Sequence, residues 1–447
     1  MRRRFLRSFS VFLLVATFGC ATYSDRIDGA NERVSRGDYR GAIGDLDRIL
    51  GVRSEDELPD HWGPERPLAV LERGSLLQAL EEYAASARDL SAGETELELL
   101  DFKYDTAGQI GKYVYSDSSQ DYEAPPTERL SLNAVNMLNY LAIGDWNGAS
   151  VEARRFTTMR EYLESVDLKG DAAFASYLSG LTFERLGQGD RALRYYEEAM
   201  ARGTLPTLGD PVRRLASANP YRGPHIKDLL EDAPSPSVPD TPTEVITVVS
   251  LGRVPHKIPA RMPIGAAVGA AGTFITGNPD ILARSIFKVV VYPELTDSGS
   301  RARNAVVEID GRRTALDRVS STGADITAEY ERVKPKIIGA ALTRMIARAL
   351  AAEGARVAGR QAGGAGAVVG LLAALGTEAA LVGLDRPDTR SWSMLADHVL
   401  ISRAIVEPGE HAVSVKITGT GGLKVTRDIP VQVDKGEAVV VIVTEPR

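Results

Sequence analysis

Ala175 to Met200 reads ASYLSGLTFERLGQGDRALRYYEEAM, and its small and aromatic residues return at the spacing of two helices joined by a tight turn. Gly180 and Phe183 fall on a first helix, and Gly187 and Gly189 mark the turn. Ala192, Tyr196 and Ala199 follow on a second helix at i, i+4 and i+7. Small residues let the two helices approach, and Phe183 and Tyr196 fill the space beside the contact. A hairpin of this kind cannot bury its own apolar face, so further copies are expected.

Weaker copies are present. Gly144 with Ala149, Gly37 with Ala42, and Gly74 with Ser86 take comparable places. The combination of positions matches the tetratricopeptide (TPR) repeat, although the copies lie further apart than its period of about 34 residues, so the array is degenerate. An ordinary amphipathic helical hairpin is the bland alternative, and it does not account for several motif positions matching together.

The chain has 447 residues, 44% hydrophobic and 25% charged, a globular composition with room for two or three domains. Arg2, Arg3, Arg4 and Arg7 precede a short apolar run from Phe9 to Phe18, which reads as a signal peptide over 1–19. Cys20, the only cysteine, follows directly and resembles the acylated residue of a bacterial lipobox. Lipidation at Cys20 is the expectation, with Ala21 favouring the outer membrane. Removing 1–19 takes away four arginines and moves the net charge from −7 to −11, which excludes a general nucleic-acid footprint.

The helical repeat domain is expected over 20–232 and a proline-rich linker over 233–242, APSPSVPDTP, with two independently folding parts on either side. Beyond it the period becomes strand-like. Glu244 to Ser250, Ile286 to Tyr292 and Asn304 to Asp310 are β-rich, and Asp310-Gly311 is a hairpin turn into Arg312 to Val319. His411 to Thr418, Leu423 to Val433 and Ala438 to Thr444 alternate as strands again. The fold class is therefore α+β multidomain: a TPR-like α-solenoid, then an antiparallel β-sandwich-like domain over 243–447 with a helical insertion at 334–384. Two apolar glycine-bearing stretches, Pro263 to Gly277 and Ala362 to Leu384, are expected to pack against the β-rich domain; contact with a membrane surface is the lesser alternative.

No catalytic constellation stands out. The five histidines are scattered singly and no cysteine pair exists, so neither a metal nor a cofactor is expected. Ser285 and Lys288 fit S-x-x-K but run into Val289-Val290-Val291, and a strand would put them on opposite faces. The sequence places Tyr177, Glu184 and Arg185 on the inner face of the array, with Arg154 and Arg155 on the neighbouring hairpin. An aromatic anchor beside both charge signs suits a peptide or protein partner.

Ser116-Asp117-Ser118, Tyr122, Glu128-Arg129, NYLAIGDWNGASVEARR (139–155), YLSGLTFERLG (177–187) and DTRSW (388–392) together resemble a family of uncharacterised bacterial tetratricopeptide envelope lipoproteins, over nearly the whole mature chain. That resemblance implies a lipid-anchored protein on the periplasmic face of the outer membrane, and it carries no activity. Two function classes stay open: a non-enzymatic scaffold binding an envelope protein or peptide, and a glycan or lipid binder or enzyme with a site between its domains.

Overall fold

The computed structural model describes residues 21–97, 122, 124–231, 241–275, 279–280, 289–361 and 386–447. Cys20, the signal segment, most of the linker, Ser285 to Lys288 and 362–384 lie outside the described residues.

Eight helices of the first half form four consecutive hairpins: α1 (Tyr23–Arg36) with α2 (Tyr39–Leu50), α3 (Arg66–Ala79) with α4 (Tyr83–Glu96), α5 (Pro126–Ala142) with α6 (Trp146–Ser165), and α7 (Ala173–Arg185) with α8 (Gly189–Met200). Each turn carries one left-handed residue: Gly37, Glu81, Gly144 and Gly187, with φ of 85°, 65°, 76° and 72°. Only glycine takes that conformation without cost, so Glu81 is the strained member. Counting from these turns gives the register. Ala42, Ser86, Ala149 and Ala192 stand five places after the turn and are fully buried. Ala30, Gly74, Met137 and Gly180 stand seven places before it. Gly74 is thus the counterpart of Gly180, inside a helix, and not of the turn residues Gly37 and Gly144, with which the sequence reading grouped it. Two shorter helices follow, α9 (Gly209–Ala218) and α10 (Pro224–Glu231).

The second half contributes ten strands: β1 (Glu244–Leu251), β2 (His256–Pro263), β3 (Val289–Thr296), β4 (Ala302–Ile309), β5 (Arg312–Arg313), β6 (Asp317–Ser320), β7 (His398–Ile405), β8 (Gly409–Gly419), β9 (Lys424–Val433) and β10 (Ala438–Glu445). One sheet has the order β10-β1-β7-β6 and another β5-β4-β8-β9, while β2 and β3 form a separate antiparallel hairpin. The expected all-antiparallel arrangement fails at one pair: β1 and β10 run parallel, Glu244 opposite Ala438 through Leu251 opposite Glu445. Parallel pairing needs a long crossover, and nearly the whole second half of the chain lies between these strands.

The first sheet is buried on both faces. Along β1, Ile246 and Val248 join the core of the helical hairpins, whereas Val245, Val249 and Leu251 join a cluster shared with Val307, Val413, Val415 and Ile417 of the second sheet. The layers are therefore helices, sheet, sheet. A single apolar cluster runs from Tyr23 to Ile442, so the helical half and the first sheet share one core.

Helix α12 (Thr322–Gln361) begins twelve residues before the expected insertion start at 334. Together with the β2–β3 hairpin and α11 (Ile264–Ala271) it makes an arm with its own small core, Ala267, Ala271, Val290, Tyr292, Ile338, Leu342 and Ile346. Thus 264–271 packs within the β-rich part of the chain, on this arm rather than on the two four-stranded sheets.

Candidate ligand site at the junction of helices and strands

The predicted inner face is occupied by the protein itself. Tyr177 is fully buried and its hydroxyl lies 2.9 Å from Thr207 Oγ1. Glu184 accepts from both Nη atoms of Arg403 on β7, at 3.0 Å each, and from Tyr196 Oη and Arg214. Arg403 also donates to Glu244 Oε2 at 2.8 Å. Burial pushes the Glu184 carboxyl up, and Arg403 overcomes it, so the group stays below its usual range. Arg185 donates to the carbonyl of Pro242 at 3.3 Å. Removing one partner of such a buried pair leaves an uncompensated charge, at a cost of about 3–5 kcal/mol. Glu184 and Arg185 therefore brace helices to sheet, Tyr177 ties α7 to the turn at Thr207, and the three offer no open groove. Arg155 is engaged by Glu94 and Glu152, while Arg154 remains exposed beside Ser150.

A second junction is built on the segment 386–396, which has no regular structure and threads between α1, α3, α5 and β2. Trp392 Nε1 donates to Ser75 Oγ at 3.0 Å, and the backbone N–H groups of Ser393 and Met394 donate to the two oxygens of Glu72 at 2.8 and 2.7 Å. Burial still pushes Glu72 up to about 8. On the inner side of this segment lies a chamber of about 40 Å³ between Glu128, Glu329, Lys257 and Tyr330. Thr127 Oγ1 donates to Glu329 at 2.5 Å, and Tyr122 Oη donates to Glu128. Burial raises both carboxyls, Glu329 to about 7. The volume suits one or two waters and no substrate.

On the outer side is a cleft of about 360 Å³, lined by Ala21 and Thr22 at the start of α1 and by Arg26, Arg66, Arg386 and Arg390. Its lining acids are Glu65 and Asp388. Arg26 pairs with Glu65 at 2.7 Å and Arg390 with Asp388 at 2.8 Å. Arg66 donates to the carbonyl of His61 and has no carboxylate partner among the described residues. The Nε of Arg386 is buried without a hydrogen-bond partner among them. Two guanidinium groups that line the cleft thus have no carboxylate partner among the described residues, and a buried donor left unmade costs about 1–3 kcal/mol. An anion fits this arrangement.

Among the described residues, no group of three His, Cys, Asp or Glu could hold a metal ion, and no helix is long and apolar enough to cross a membrane. The cleft was not legible in the sequence, because its arginines lie at 26, 66, 386 and 390 in segments with no shared pattern; only DTRSW, which contains Arg390, was singled out. The chain has no match among known protein families, curated proteins or solved structures.

Proposed function

We propose that this protein is a non-enzymatic, lipid-anchored envelope protein, a TPR-like array braced on a β-sandwich-like domain, that binds a small anionic ligand in the cleft beside its N-terminus. Of the two classes open from sequence, this is the ligand binder with a site between its parts. The observation that carries it is Arg386, whose Nε is buried without a hydrogen-bond partner among the described residues, in a cleft already richer in arginine than in acid. Position supports the same reading. Ala21 lines the cleft and Cys20 precedes it, so acylation of Cys20 would hold the cleft at the level of lipid headgroups. A phosphate ester has the charge and the acceptor oxygens that two guanidinium groups recognise.

Titration calorimetry with glycerol phosphate tests this, with glycerol as the uncharged control. Saturable binding of the phosphate alone is expected, weakened about tenfold or more by Arg386→Met. Absence of binding, or equal binding by the variant, overturns the reading. A protein-scaffold reading keeps one observation in its favour: Ile143 and Val151, on the α5–α6 hairpin, are 57% and 42% exposed.

A further inference from the structure

The arm of β2, β3, α11 and α12 differs from the rest of the molecule in both charge and surface. The whole chain is acidic, with a net charge of −7. From Arg332 to Ala352, α12 contains Arg332, Lys334, Lys336, Arg344 and Arg348 and no acidic residue. Arg261 on β2 adds an exposed cation. Lys334 is neutralised by Glu294 at 2.8 Å, with Glu331 at 3.5 Å, but Arg332 is exposed and among the described residues donates only to its own helix, at the Ala328 carbonyl.

The same arm carries three of the six exposed large hydrophobic residues found among the described residues: Phe274 at 39%, Val289 at 40% and Leu350 at 56%. Phe274 and Val289 belong to one end of the arm. Val289 pairs with Pro263, the last residue of β2, and α11 starts at the next residue and leads directly into Phe274. The Lys336 ammonium stands 5.6 Å from the centre of the Phe274 ring. The α11 surface between them presents Gly265, Ala266, Gly269 and Ala270 to solvent. An apolar face rimmed by cations on an otherwise acidic protein is complementary to one kind of surface, a bilayer containing anionic lipid, where apolar groups enter the headgroup boundary and basic residues are drawn to the negative surface.

We propose that this arm is a membrane-contact element that lays the Phe274 end of α11 into the interface of an anionic bilayer. The contact is peripheral, since α11 has eight residues and cannot span hydrocarbon. It is separate from the acyl anchor and from the arginine cleft, so the molecule would meet the membrane at two places.

The test is vesicle co-sedimentation of residues 20–447 carrying Cys20→Ser, which removes the acyl chains as a cause of binding. Vesicles are phosphatidylcholine alone or with a quarter phosphatidylglycerol. Binding to the mixed vesicles only is expected. Phe274→Ser and the pair Arg332→Glu with Lys336→Glu should each weaken it about tenfold, whereas Ile143→Ser should leave it unchanged. All the altered side chains are exposed or half-exposed, and thermal unfolding of each variant checks that it still folds. No binding by the unlipidated chain, equal binding to neutral vesicles, or binding indifferent to the arm variants overturns the proposal. Loss with Arg386→Met but not with Phe274→Ser also overturns it and assigns the headgroup to the cleft, so failure of the arm and failure of the cleft are told apart.

Discussion

Glu329 lies in the small chamber behind the 386–396 segment with its carboxyl held up at about 7 by burial, against the pull of the two Thr127 hydrogen bonds and with Glu128 adding to the rise. An unfolded glutamate titrates near 4.3, so the folded state binds this proton more tightly. The stabilisation is fully present below about pH 4 and is lost as the pH rises through 7. We therefore expect the unfolding free energy to fall between about pH 5 and about pH 8, and Glu329→Gln to remove up to about 3 kcal/mol of that fall, read from urea titrations at the two pH values. Glu72, raised to about 8, keeps a residual slope in the variant. An identical fall in both proteins would refute the assignment. At this scale the sequence was half legible. Phe183 and Tyr196 stand in the core, where their spacing put them. Glu184 did not read as a brace, because its partner Arg403 is 219 residues away and no local pattern connects them.

At the scale of elements, the hairpins follow from turn and contact positions, and two glycines make the point with one substitution. A Cβ at Gly180 would stand 2.5 Å from the Tyr196 ring, whereas a Cβ at Gly44 of α2 would meet nothing within 4 Å. Gly180→Ala is expected to destabilise by about 1–3 kcal/mol through overpacking. Gly44→Ala should stabilise by about 0.5–1 kcal/mol, because the helix keeps its conformation and the unfolded chain loses freedom. Denaturant midpoints moving in the same direction would contradict the packing described for α7 and α8. β8 and β9, which alternate, and β10, a continuous β-branched run, were legible within a residue or two. β7 was not, since the sheet that contains it is covered on both faces and HVLISRAI has no alternation to read. β2 was hidden by Pro259 and Pro263, which a two-stranded hairpin tolerates.

For the whole molecule, the decisive feature is that the helical hairpins and the first sheet share one core. Ile246, Val248, Ile401 and Ile442 are buried in the cluster that contains Leu46, Leu71 and Leu138. Residues 21–231 expressed alone would expose that surface, so we expect them to aggregate or to unfold without cooperativity, measured by circular dichroism against the full chain. A sharp transition in the isolated half would restore the independence that the proline-rich linker suggests. Composition alone could not have shown the shared core, because a linker reads the same whether its flanking parts separate or fold back on each other.

The parallel pairing of β1 with β10 also sets a timetable. β10 is the last of the strands described, and β1 cannot gain that neighbour until residues 438–445 have been made. Whether the chain emerges from a ribosome or from an export channel, the helical hairpins present their inner surface without its full cover until that strand arrives, and docking of β10 beside β1 completes the shared core.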